Sequence, residues 1–165
     1  MLLGNPTGND PSPDSEPLVT SLMLQQRYAE AYELLVDKQP AQSSTLYNLA
    51  LCLYWIGSYQ AALNKLDLIH LRPNLSDGNR LNDDTFYHEI KNKQNLSDDH
   101  LHGMTEFYIQ RFPASFQDAV IRLKIDCWSQ LGNHAKVIAT ASAVAHKGYK
   151  NISDALRLAK TANDK

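Results

Sequence analysis

At 165 residues, with sixteen Lys and Arg against eighteen Asp and Glu, the chain carries a formal charge of −2 and no run of like charge beyond a few residues. That balance argues against nucleic acid or an anionic membrane as a target, and the length suffices for one domain burying roughly 70% of its unfolded surface. The two cysteines, Cys52 and Cys127, lie in apolar stretches without CxxC spacing. They read as reduced core residues, not as metal ligands or a disulfide framework.

Residues 1–17 hold Pro6, Pro11, Pro13 and Pro17 among Gly, Asn, Asp and Ser, which predicts a flexible arm ahead of one helical domain over 18–165. The first residues, Met1 to Pro6, have neither a basic start nor a sustained apolar stretch, so no secretory leader is expected. The longest apolar run, Leu49 to Ile56, is far short of the ~20 residues that span a bilayer. The expected setting is soluble and cytoplasmic, without membrane insertion.

Within 18–40, Tyr28, Ala31 and Leu35 are spaced as Tyr59, Ala62 and Leu66 are in the next unit, 43–73. In that second unit Leu46, Leu49, Ala50 and Leu53 recur at helical spacing, Gly57 breaks the chain, and Tyr59, Ala62, Leu63, Leu66 and Ile69 resume it. A third unit, 82–113, carries Phe86, Tyr87 and Ile90. It continues with Ser97 as an N-cap candidate and then Leu101, Met104, Phe107 and Tyr108, but it lacks a turn glycine. A fourth, 115–148, opens on Ser115 and Asp118 as a capping pair, runs through Ile121, Ile125 and Trp128, and turns at Gly132. Residues 151–162 form a last helix with Ile152, Leu156 and Ala159 on one side and Asp154, Arg157, Lys160 and Asp164 elsewhere, as a cap with one wet face requires.

Prolines 40, 73 and 113 close three of these units at separations of 33 and 40 residues, near a ~34-residue repeat period. In the second unit Leu46, Leu49, Ala50, Gly57, Tyr59, Ala62 and Pro73 follow the order of a tetratricopeptide repeat, and the chain resembles that family. It departs in using Leu46 where Trp is common and in closing one residue early. The resemblance implies an all-α fold of antiparallel helical hairpins stacked as a short right-handed superhelix, with small residues Ala50 and Ala62 admitting close helix approach. It also implies that the first helix of each hairpin lines a concave groove, where a peptide or protein segment binds.

The helix from Leu46 to Ile56 bears a second apolar stripe, Tyr47, Leu51, Tyr54 and Trp55. It either floors the groove or packs on neighbouring repeats and the arm. Asn48 aligns with the groove asparagine that some members of the family use, with Lys and Arg, to hold a C-terminal carboxylate. The first unit offers Glu16 and Pro17 at the corresponding place, so Asn48 reads as a polar groove residue, with Arg122 supplying charge further along. Candidate peptide-binding residues are therefore Tyr47, Asn48, Leu51, Tyr54, Trp55 and Arg122.

Asp98, Asp99, His100 and His102 lack the i, i+4 pairing of zinc helices and read as a helix start with acidic dipole partners and two solvated histidines. Asn74, Asn95 and Asn151 head Asn-x-Ser sequons placed at inter-helix turns, where Asn and Ser serve as turn and capping residues. No nucleophile elbow, phosphate loop or paired catalytic carboxylates occurs, so neither enzyme nor cofactor is expected. The leading expectation is an adaptor for a protein or peptide. The alternatives are a subunit that self-associates or joins a larger complex and, remotely, a metal-dependent enzyme built on the His and Asp cluster.

Overall fold

The computed structural model describes residues 15–72, 81 and 83–163, and all regular structure among them is helical. Residues 1–14 of the expected arm, Pro73, Asn74, Asn82 and Asp164 lie outside the described residues. No helix among those described is long and apolar enough to cross a membrane.

Three hairpins share one design. Helices α1 (Ser15–Leu24) and α2 (Tyr28–Leu35), α3 (Ser43–Trp55) and α4 (Tyr59–Asp67), and α7 (Pro113–Gln130) and α8 (His134–Ala141) are each joined by three residues. In every case the middle residue of the turn has a left-handed backbone: Gln26 at φ 60°, Gly57 at 79° and Gly132 at 69°. The next N–H then reaches back to close the helix end, Arg27 to Leu22, Ser58 to Leu53 and Asn133 to Trp128, at 2.8–2.9 Å. The second helices bury matching residues, Ala31 and Leu35, Ala62 and Leu66, Val137 and Ala141. The alanine in each pair, Ala31, Ala62 and Ala141, leaves room for the second helix to lie close to the first.

The hairpins stack through α2 on α3 and α4 on α7, and α8 is covered by α9 (Lys150–Asn163). One apolar cluster runs from Val19 and Met23 through Leu46, Leu49, Leu63 and Leu66 to Val120 and Leu123. A second joins Ile125, Val137, Val144, Tyr149 and Ile152, with Trp128 touching both. The α9 cap turns Ile152, Ala155 and Ala159 inward and leaves Arg157 and Lys160 exposed.

Three expectations need correction. Helix α1 starts at Ser15 and absorbs Glu16 and Pro17, because the Glu16 carboxylate is fixed by hydrogen bonds from other elements. Helix α7 starts at Pro113, whose fixed φ suits a first helical turn, so Ser115 lies inside it and Asp118 serves Lys147 and Tyr149 instead of a cap. The third unit is not a hairpin. It forms α5 (Thr85–Gln94), which buries none of its residues, a short 3-10 turn (Asp99–Leu101) and a short α6 (Glu106–Arg111) capped by Thr105. Lacking a turn glycine after α5, the chain does not fold back, and α4 stacks directly on α7.

Candidate functional site: a backbone-binding face

The first helices α1, α3 and α7, together with α9, present one shared face, and residues 95–106 cross it in the reverse order of the helices. At the α9 end Asn95 donates through Nδ2 to the Lys147 carbonyl at 2.9 Å, and its own carbonyl accepts from Lys150 N at 3.0 Å. Over α7, Arg122 donates from Nη2 to the Ser97 carbonyl at 2.7 Å and from Nη1 to the Asp99 carboxylate at 2.6 Å. Its Nε donates to Asn151 Oδ1 on α9 at 2.9 Å, and its guanidinium stacks over the Tyr149 ring. His100 Nε2 lies 2.6 Å from Asp126 Oδ2, and Asn151 Nδ2 donates to the other oxygen of that carboxylate at 2.8 Å.

Over α3, the Tyr47 hydroxyl donates to the His100 carbonyl, and the Asn48 side chain pairs with the Met104 backbone at two points. Asn48 Nδ2 donates to the Met104 carbonyl at 2.8 Å, and Met104 N–H donates to Asn48 Oδ1 at 2.9 Å. This arrangement grips the main chain of one residue through both of the peptide groups that flank it. Over α1, both Glu16 oxygens accept from Glu106 N–H at 3.1 Å, placing a carboxylate at the start of α6. Gly103 passes so near that a Cβ there would meet Met23 Sδ at 3.0 Å and Asn48 Oδ1 and the Thr20 backbone at 3.5 Å.

Burial pushes the Asp99 carboxyl up, but hydrogen bonds from Gln94 and Arg122 and the Arg122 charge outweigh it and hold it below the usual range. Burial drives the Tyr47 phenol well above its ordinary value, so it keeps the proton it donates. Beside the crossing segment lies an open cavity of about 370 Å3 bordered by Thr20, Lys91, Asp99, His100, Arg122 and Tyr149. No group of three or more His, Cys, Asp and Glu able to hold a metal occurs among the described residues.

Of the sequence-nominated residues, Tyr47, Asn48 and Arg122 converge on the backbone of residues 97–104, all three enclosed within the fold. Leu51 is core, and Tyr54 is half-buried with its ring edge against Tyr59. Trp55, at the far end of α3, is 57% exposed and stacks on Tyr28. The second stripe of α3 thus divides between core and outer surface and is not one groove floor. His100 is 1% exposed, correcting its reading as solvated, because Asp126 and Tyr47 draw it inward.

Gly103 and Asp126 escaped the sequence reading, and Glu16 and Asn151 entered it only as a mismatch to the family's groove pattern and as a turn residue. One signal was available: Arg122 and Asp126 stand four apart on a helix beside Leu123 and Ile125, an unusual place for two charges unless they have partners. The chain matches no family model, no curated protein and no solved structure. Function is therefore read from this face alone.

Proposed function

We propose that the chain is a protein-interaction scaffold of tetratricopeptide type that holds a peptide or protein segment across the face of α1, α3, α7 and α9. The observation that supports this reading is the two-point grip of Asn48 on the Met104 backbone. Tyr47 and Arg122 add bonds to two more carbonyls of the same segment. Side-chain donors and acceptors aimed at main-chain groups suit a site that accepts a peptide chain, with charged neighbours setting its preference. A photo-crosslinking residue placed at Thr20, on this face, should capture a protein from the native cell that one placed at exposed Glu33 on α2 does not. Equal capture from both positions, or none from either, would remove the proposal.

A second reading, self-association, is favoured by the apolar surface around the Tyr28–Trp55 stack, where Leu24 and Ile56 are 74% and 67% exposed. Patches of this kind serve as contacts between chains. Light scattering separates the two readings, since a monomer at high concentration counts against association.

A further inference from the structure

The interaction face of the free chain is already filled by its own residues 97–106. Resting on the scaffold reading above, we propose that this segment is an internal substitute ligand, displaced when a partner segment of the same chemistry binds. That partner presents an acidic residue to Arg122, a hydrogen-bonding side chain to Asp126 and, three residues further on, a glycine against Met23 and Thr20. The residue after this glycine gives its N–H and C=O to Asn48.

Three observations make the segment displaceable rather than simply core. Much of its hold is hydrogen bonds between side chains of the face and backbone atoms, each worth about 1 kcal/mol net, and the rest, the His100–Asp126 contact and the buried Met104 side chain, is of a kind that a second peptide can supply. The closed arrangement is imperfect: His100 Nδ1 and Asn95 Oδ1 are buried without a hydrogen-bond partner among the described residues, and the 370 Å3 cavity lies alongside. Its approach is also weakly anchored, since α5 buries none of its residues and Leu96, Asp98, His102 and Phe107 remain exposed. The preference for glycine follows from the 3.0 Å that a Cβ at Gly103 would leave to Met23 Sδ, a contact relieved only if the methionine side chain shifts.

A tethered segment acts at an effective concentration on the order of millimolar, so a free peptide making the same contacts competes poorly at micromolar concentration until the tethered copy is weakened. Met104→Pro weakens that copy, because it deletes the N–H given to Asn48 and withdraws the Met104 side chain from the apolar cluster, while every residue of α1, α3, α7 and α9 is unchanged.

The probe is a fluorescein-labelled peptide of residues 96–106, followed by anisotropy with the full chain. The Met104→Pro chain should bind it at least about tenfold more tightly than the unmodified chain, and adding Asn48→Ala should abolish the gain. Equal, Asn48-dependent binding by both chains would overturn self-closure while leaving the scaffold reading intact. Binding by neither, with Met104→Pro still folded, would overturn both. Hydrogen exchange on the unmodified chain gives a test that no folding failure can spoil. After correction for intrinsic rates, the Met104 and Glu106 amides should exchange at least about a hundredfold faster than the central amides of α3 and α7. Equal protection would make the segment part of the core and end the proposal.

Discussion

His100 and Asp126 meet at 2.6 Å although they lie on different elements, the imidazole fully enclosed and the carboxylate partly so. The pair ties the crossing segment to the middle of α7, and Asn151 from α9 donates to the same carboxylate. Replacing Asp126 with Ala leaves a buried imidazole with no partner on either nitrogen and strips Asn151 Nδ2 of an acceptor. A loss of about 2–4 kcal/mol in urea unfolding is expected. A loss below about 1 kcal/mol would mean that the pair contributes little to holding the segment.

Arg122 reaches three acceptors and one ring from a single planar group, geometry that an ammonium cannot reproduce. Arg122→Lys keeps the charge and should still cost about 1–2 kcal/mol, because one ammonium cannot reach all three part-buried acceptors at once. Since the side chain is enclosed, raising the salt concentration should change that figure little. Full stability in the Lys variant would show that charge alone matters there.

The hairpins were legible because their signals are local. Tyr28, Ala31 and Leu35 repeat the spacing of Tyr59, Ala62 and Leu66, and Gly57 and Gly132 mark the turns. The segment from Ser97 to Met104 was misread because its order comes from partners far along the chain: Asn48 is 56 residues from Met104, and Asp126 is 26 from His100. Apolar residues at Leu101, Met104 and Phe107 imitate a helix in that stretch, and periodicity does not register a carbonyl satisfied by Tyr47. Asn48 and Arg122 were found as polar residues on first helices. Their target, a piece of the same chain, was not.

Gln26 sits where the other two hairpins place glycine, in a left-handed backbone that strains any residue with a Cβ. Gln26→Gly should therefore raise the stability of the chain by about 0.5–1 kcal/mol, against the usual penalty for adding a glycine. Gly132→Ala should lower it by about 1 kcal/mol. Thermal unfolding of the two variants checks both signs, and a destabilising Gln26→Gly would contradict the shared turn design.

Trp55 has more than half of its surface in solvent and one ring partner, Tyr28. Trp55→Ala should cost no more than about 1 kcal/mol, the worth of an aromatic pair, and leave helical circular dichroism unchanged. If light scattering shows association, the same variant should weaken it. A large cooperative loss of stability would instead make Trp55 structural.

Two buried thiols give the fold an alkaline limit. Burial pushes Cys52 up to about 11 and Cys127 up to about 12, from an ordinary 9.0, with the nearby Asp126 charge adding to the second. Above pH 9 the unfolded chain releases thiol protons that the folded chain keeps, so the contribution is whole below pH 9 and drains away as the pH rises through 9 to 12. Each unit of separation is worth about 1.4 kcal/mol, and by pH 11 the loss should be on the order of 2 kcal/mol or more. Urea unfolding at pH 8, 10 and 11 reads the decline directly. Changing both cysteines to Ala should flatten it, leaving the part due to Tyr47 and Tyr54, whose phenols burial also pushes up and whose contribution starts to fall only near pH 10. A stability that stays level from pH 8 to 11 would mean the two thiols are not shielded as their burial indicates.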